Sequence, residues 1–265
     1  MPAIVSGTAA LYRRFRCRDC GKQYNERSGT VLNHAHYPSD VIALVVLWRL
    51  RYRLTLRDLG EMSLQRGIVF SHEAVRDWEA KLAPALADEL RRRRHGRGGA
   101  RGRHWHVDET YIKARGRWAY LYRAIDRDGD LVDAMLSEHR DMAAAQAFFR
   151  SAKAATGATP DSVTTDGHGS YPRAIRTVLG RRVVHRTSAY KNNRLEQDHR
   201  GVRGRTRCMR GFKSFASAQR FCRGYDELRD FLRPRTHHNQ HAPADRRRLL
   251  HLRRTSCALA MLAAA

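Results

Sequence analysis

Long apolar runs are scarce in this 265-residue chain. The two longest, VIALVVLW at 41–48 and CALAMLAAA at 257–265, fall short of the ~20 residues that cross a bilayer, which argues against a membrane protein. The first residues lack the arrangement of a secretory signal. Cysteine is scarce too: five residues, odd in number and unevenly spread, make no disulfide framework, so a reducing cytoplasm is expected. The shortage with the largest consequence is of acid. Only 26 Asp and Glu face 51 Lys and Arg, a formal net charge of +25. That excess repels itself in a compact protein, and a polyanion such as nucleic acid relieves it. Arginine outnumbers lysine, which suits bidentate phosphate contacts. Hydrophobic residues still make up 42% of the chain, enough for a sizeable core.

Residues 1–37 hold one C-x-x-C pair, Cys17 and Cys20, at zinc-knuckle spacing. His34 and His36 are the only further ligands nearby, and one intervening residue is a poor gap for two ligands on one metal. Zinc and a pair of reduced structural thiols are both open readings there. Residues 38–94 read as helical. PSDVIALVVLWRLRYR opens on a Ser39 cap, and TLRDLGEMSLQRG carries a Thr55/Asp58 capping box with Gly67 as its stop. SHEAVRDWEAKL opens at Ser71 and is expected to end before Pro84. Helix, glycine turn and capped helix make a helix-turn-helix pattern, with Ser71, His72, Glu73 and Arg76 toward the major groove of double-stranded DNA. An ordinary helical bundle is the plainer alternative.

The run RRRRHGRGGARGR at 91–103 has seven arginines and four glycines and reads as a flexible, DNA-tracking linker, with 95–103 between domains. From 104 the period changes. WHVDETYIK, WAYLYRAIDRDG and LVDAMLSEHR read as three consecutive strands parted by Gly116 and Gly129. DMAAAQAFFRSAKAATG is a helix capped by Asp141 and stopped by Gly157. Strand, helix, strand and helix follow through DSVTTDG, SYPRAIRTVLG, RRVVHRTS and NNRLEQDHRGVRGR. This order predicts an α/β fold with one mixed sheet flanked by helices over 104–233. Residues 234–265 read as a basic tail.

Three carboxylates hold comparable places in that order: Asp108 in the first strand, Asp166 at the carboxyl end of the fourth, and Glu196 on the helix after the fifth. Gathered without compensation, three such acids repel one another, and divalent cations remove the penalty. Two Mg²⁺ ions roughly 3.5–4 Å apart clamp the attacking and leaving oxygens of an in-line phosphoryl displacement. Asp126, Asp128, Asp130 and Asp198 are competing acids on spacing alone.

Four segments, WHVDETYIK, GRWAYLYRAID, VTTDGHGSYPRAI and YKNNRLEQDHRGVRGR, together resemble the DDE transposases of insertion-sequence family six. YPSDVIALVVLWRLRYRLTLRDLGEM and RDWEAKLAP resemble the helix-turn-helix that precedes the catalytic domain there. The resemblance covers residues 12 to 233. It implies an RNase H-like catalytic fold with Asp108, Asp166 and Glu196 as the metal-binding triad, Mg²⁺ as cofactor and Mn²⁺ as a substitute. Asp108 would face the site and Glu109 the other way. Arg203, two turns after Glu196, matches a basic position that contacts the DNA backbone. The implied substrates are terminal inverted repeats and target DNA, acted on by a homo-oligomer in the cytoplasm, in association with the nucleoid. The 166–196 interval is shorter than the family pattern, Lys is usual where Arg203 stands, and the first half of a zinc ribbon is missing. A remnant that only binds DNA, a structure-specific nuclease and an arginine-rich RNA-binding protein are the rival readings.

Overall fold

The computed structural model describes residues 3–9, 12–95, 103–188, 193–209, 211–234 and 243–265. Side chains are described from Tyr12 onward, apart from those at 193, 194 and 197. Residues 96–102 of the expected 95–103 linker lie outside the described residues.

The amino-terminal segment forms a small antiparallel sheet, β1 (Ala3–Ala9), β2 (Tyr12–Cys17) and β3 (Gln23–Tyr24). Buried Arg27 ties this sheet to the start of the helical region. Its guanidinium donates to the Tyr12 hydroxyl (2.6 Å), the Ala35 carbonyl (2.7 Å) and Ser39 Oγ (3.0 Å). Three helices come next, α1 (Ser39–Arg51), α2 (Leu56–Leu64) and α3 (His72–Arg94). The Thr55/Asp58 capping box forms, and Ser71 Oγ accepts from the Ala74 amide. Ser39 does not cap α1. Pro38 takes the cap position, and Ser39 is held by Tyr12 and Arg27 instead.

Helix α3 does not stop at Pro84. Proline costs the helix one backbone hydrogen bond. Leu82, Ala83, Leu86, Ala87 and Leu90, all buried, hold the helix through it to Arg94. At ~1.5 Å per residue its 23 residues span about 35 Å. The arginine run therefore begins inside a helix. Arg91 and Arg94 are pinned to the next domain: Arg91 pairs with Asp133, and Arg94 pairs with Glu227 at 2.7 Å.

A five-stranded mixed sheet lies at the centre, in the order β6-β5-β4-β7-β8. β4 (His104–Ala114), β5 (Arg117–Ile125) and β6 (Leu131–Ser137) form an antiparallel meander, and β7 (Ser162–Thr165) and β8 (Val184–Thr187) add in parallel. This is the expected mixed sheet flanked by helices, with the first strand of the sheet central. One face is covered by α4 (Met142–Thr156) and α5 (Tyr171–Val178), which pack on Trp105, Val107 and Tyr122. Asp141 caps α4, and Gly157 ends it at φ +69°. The other face, through Ile112, Ala119, Leu121 and Leu136, shares a single core with α1, α3 and α7 (Phe215–Leu232). α6 (Asn193–Thr206) crosses near β4 on this side.

The stretch after Arg233 is more than a basic tail. It carries α8 (Ala244–Ala264), which buries Ala258 and Leu262 in that same core against α1, α3 and α7. Among the described residues no helix is long and apolar enough to cross a membrane.

Candidate active site

Side chains alternate along β4, so Asp108 and Glu109 point to opposite faces. Asp108 looks toward α6, and Glu109 toward α5. Both are sunk in the protein, and Glu109 is the deeper, with a side chain 2% exposed against 14% for Asp108. Glu109 accepts hydrogen bonds from the Tyr171 hydroxyl and from Arg140 Nε. Burial and the Glu109 charge push the Tyr171 phenol well above its ordinary pKa, so it remains a donor.

Asp166 immediately follows β7. Its carboxylate accepts from the His168 amide (3.0 Å) and from Arg140 Nη2 (3.3 Å). Arg140 therefore bridges Glu109 and Asp166. Glu196 lies exposed in the first turn of α6. Asp108 is common to two sets of ligand atoms, each lying within 4.8 Å of one another: Asp108, Glu109 and Asp166, and Asp108, Glu196 and His199. The three expected carboxylates do not form one set by themselves. Asp108 joins them.

The electrostatics mark Asp108 as the strained member. Burial, with repulsion from Glu109, Asp166 and Glu196, pushes its carboxyl up to about 7, against the pull of the Glu109 amide. A cation among these groups would cancel that repulsion. The donor set of Asp108, Glu109 and Asp166 is all carboxylate oxygen, the chemistry that suits hard divalent ions. His199 is buried, with Nδ1 3.7 Å from Asp108 Oδ2, too long for a hydrogen bond, and Nε2 without a partner among the described residues. Burial, then Arg123 and Arg203, push its pKa down to about 3, so the ring is neutral. Beneath it Arg123 pairs with Asp226 (3.0 Å), and Asp198 pairs with Arg229 (2.6 Å).

Arg203 sits beside the site as the helical spacing requires. Its Nε donates to Thr110 Oγ1 at 3.0 Å, two residues along β4 from Asp108 and on the same face. Ser71 and His72 are exposed on α3 and belong to neither carboxylate set; Arg76 is engaged with Glu73. Glu73 itself is held below its ordinary pKa by Arg76. At the amino-terminal segment, amides of Cys20 and Asp19 lower the Cys17 thiol pKa. No third His, Cys, Asp or Glu gathers with Cys17 and Cys20 among the described residues.

Four groups at the site, Glu109, Arg140, Tyr171 and His199, were not expected there from the sequence. For His199 a signal was available: it follows Glu196 by three residues, on the same helix face. For the others the link is tertiary, since Tyr171 and Glu109 are 62 residues apart.

A family model described as a DDE domain matches residues 102–234. The transposase for insertion sequence-like element IS431mec of Staphylococcus aureus is 36% identical over 176 residues, covering 65% of this chain and 76% of that protein. The transposase for insertion sequence element IS257 in transposon Tn4003, also from Staphylococcus aureus, has the same identity and coverage. Among solved structures, the chain is similar to the simian T-cell lymphotropic virus intasome in complex with PP2A regulatory subunit B56 gamma. That match has 18% identity and a TM-score of 0.29, over 59% of this chain and 46% of the other. A second is the HTLV-2 integrase catalytic core domain in complex with magnesium, at 16% identity and a TM-score of 0.28, over 36% and 66%.

Proposed function

The chain belongs to the DDE transposases of insertion-sequence family six, and from that premise we propose that Asp108, Asp166 and Glu196 are its catalytic, metal-binding carboxylates. As a transposase it is a polynucleotidyl transferase acting on DNA. The observation that carries the site assignment is that Asp108 shares ligand-atom sets with both Asp166 and Glu196.

Family membership and the acidic cluster imply a divalent metal, and our reading assigns two Mg²⁺ ions, replaceable by Mn²⁺, to the three carboxylates. Such ions, when bound, activate the attacking oxygen and stabilise the leaving 3′-oxygen. The protein's own groups set the geometry around them. Asp108, on the central strand, is the fixed member to which Asp166 and Glu196 are added from a loop and a helix. Tyr171 and Arg140 hold Glu109 behind it, and Arg140 also steadies Asp166. His199 fills the space behind Asp108 with a neutral ring that adds no positive charge. Arg203 takes the DNA backbone next to the reacting phosphate, its guanidinium oriented by Thr110.

Ser71, His72 and Arg76, on the first turns of α3, read the terminal inverted repeats in the major groove. Joining two element ends calls for two sites held together, hence a homo-oligomer. The test is strand cleavage and strand transfer on DNA carrying the element's own ends, in Mg²⁺ or Mn²⁺. Asp108→Asn, Asp166→Asn and Glu196→Gln should each abolish joining while end binding persists. Retained joining in any one of them removes that residue from the triad. Binding without cleavage in the wild type would make the protein a DNA-binding remnant.

A further inference from the structure

β7 pairs with β4 only over His104–His106, so from Val107 to Lys113 that edge of β4 has no partner strand among the described residues, until Ala114 bridges Phe212. A groove of ≈ 790 Å³ opens along β4 here, within the roughly 300–1,000 Å³ range of small-ligand sites. Tyr111, Trp118 and Tyr120 line one side of it, and Arg203, Arg207 and Phe212 the other.

The aromatic side is unusually open. Tyr111 is 47% exposed and Trp118 62%. Strand register places Tyr111 opposite Tyr120 and Lys113 opposite Trp118. The rings of Tyr111 and Tyr120 lie 5.3 Å apart, and Lys113 Nζ sits 5.8 Å from the Trp118 ring centre. Cross-strand aromatic pairing stabilises a hairpin. It does not require most of an indole to remain in solvent beside a groove that two arginines also line.

We propose that this groove receives an unpaired nucleotide of the DNA strand adjacent to the phosphate being processed. The base stacks on Trp118 and Tyr111, and Arg203 and Arg207 hold the flanking phosphates. This deepens the transposase reading above and rests on it for the source of the strand. The chemistry selects an unpaired strand over intact duplex, because a duplex keeps its base faces stacked inside while a single strand offers them to aromatic rings. Position supports the same occupant. Arg203 is bonded to Thr110, two residues from Asp108, so the groove begins beside the carboxylates.

The test uses the full chain, a fluorescein-labelled oligo(dT) and a blunt duplex of the same length. Anisotropy is read in EDTA, so no cleavage enters, and in raised salt, which weakens generic phosphate binding. Trp118→Ala should weaken oligo(dT) binding about 5- to 150-fold, the range for loss of one stacked base, while duplex binding holds. Trp118→Phe should recover most of the loss. In parallel, an oligo(dT) carrying one 5-iodouracil should photo-crosslink to Tyr111 or Trp118. Equal oligo(dT) binding by Trp118→Ala and wild type, equal loss on both DNAs, or crosslinks confined to other residues would overturn the proposal. Because nothing in it depends on metal or cleavage, a failure of the triad assignment would leave these readouts unchanged.

Discussion

Arg94→Ala should be among the most damaging single substitutions in the protein, although the residue lies in a run of four arginines. Its side chain is 9% exposed and faces Glu227 at 3% and Asp133 at 1%. It donates twice to Glu227, at 2.7 and 2.8 Å, and to the carbonyls of Leu131 (3.1 Å) and Val132 (2.7 Å). Alanine leaves Glu227 a buried carboxylate without its counter-charge, a change that costs about 3–5 kcal/mol. At about 2–4 °C per kcal/mol for a chain of this size, the melting temperature should fall by roughly 6–20 °C. Arg92→Ala is the control: its side chain is 76% exposed, and the change should stay within about 0.5 kcal/mol. Arg94→Met with Glu227→Leu should recover much of the loss, because the pair is removed together. The assay is thermal and urea unfolding of all four proteins. An Arg94→Ala protein within about 1 kcal/mol of Arg92→Ala would refute the claim that this arginine is a buried structural tie.

Tyr171→Phe removes one of two donors to the buried Glu109 and should cost about 1–3 kcal/mol in urea unfolding; an unchanged midpoint would show that Glu109 finds another partner. Asp126 is buried in the β5–β6 turn, and burial followed by repulsion from Asp130 pushes its carboxyl up to about 6. The folded state therefore holds this proton more tightly than the unfolded chain. Its contribution to stability is full below about pH 4 and is lost as pH rises through about 6. Asp126→Asn should gain on wild type by about 2 kcal/mol between pH 4 and pH 7, and parallel melting curves across that range would refute it. Ser71→Ala deletes the α3 cap and should cost about 1 kcal/mol by thermal melting, with no loss expected for the flanking His72→Ala.

Signals confined to neighbouring residues were legible in the sequence. The Thr55/Asp58 box, the Ser71 cap and the Asp141 and Gly157 ends of α4 all depend on hydrogen bonds or backbone angles within one turn. The α/β order also followed from periodicity, with Asp108 inside its strand, Asp166 just past the end of its own and Glu196 in the first turn of its helix. What failed was set by distant contacts. Pro84 is a valid local stop signal, overridden because Leu82, Leu86 and Leu90 are buried on both sides of it. Arg91 and Arg94 read as the start of a flexible, DNA-tracking run because their partners, Asp133 and Glu227, stand 42 and 133 residues away. Glu109 was placed outside the site on a correct alternation argument. Alternation gives the face of a strand, not which face is the deeper or what waits there.

The single core shared by α1, α3, α7, α8 and one face of the sheet has a consequence for how such an element changes over time. The helix assigned to reading its ends cannot be exchanged like a cartridge. A foreign 38–94 segment would set Leu82, Leu86 and Leu90 equivalents against Phe221, Leu228 and Leu121 shaped for another neighbour. Close packing tolerates such mismatches poorly. A recombinant between diverged copies therefore risks losing its fold before its new specificity can be selected. On the proposed role of α3, end recognition and strand chemistry are inherited as one unit, and new specificity arises by substitutions on the exposed face of that helix.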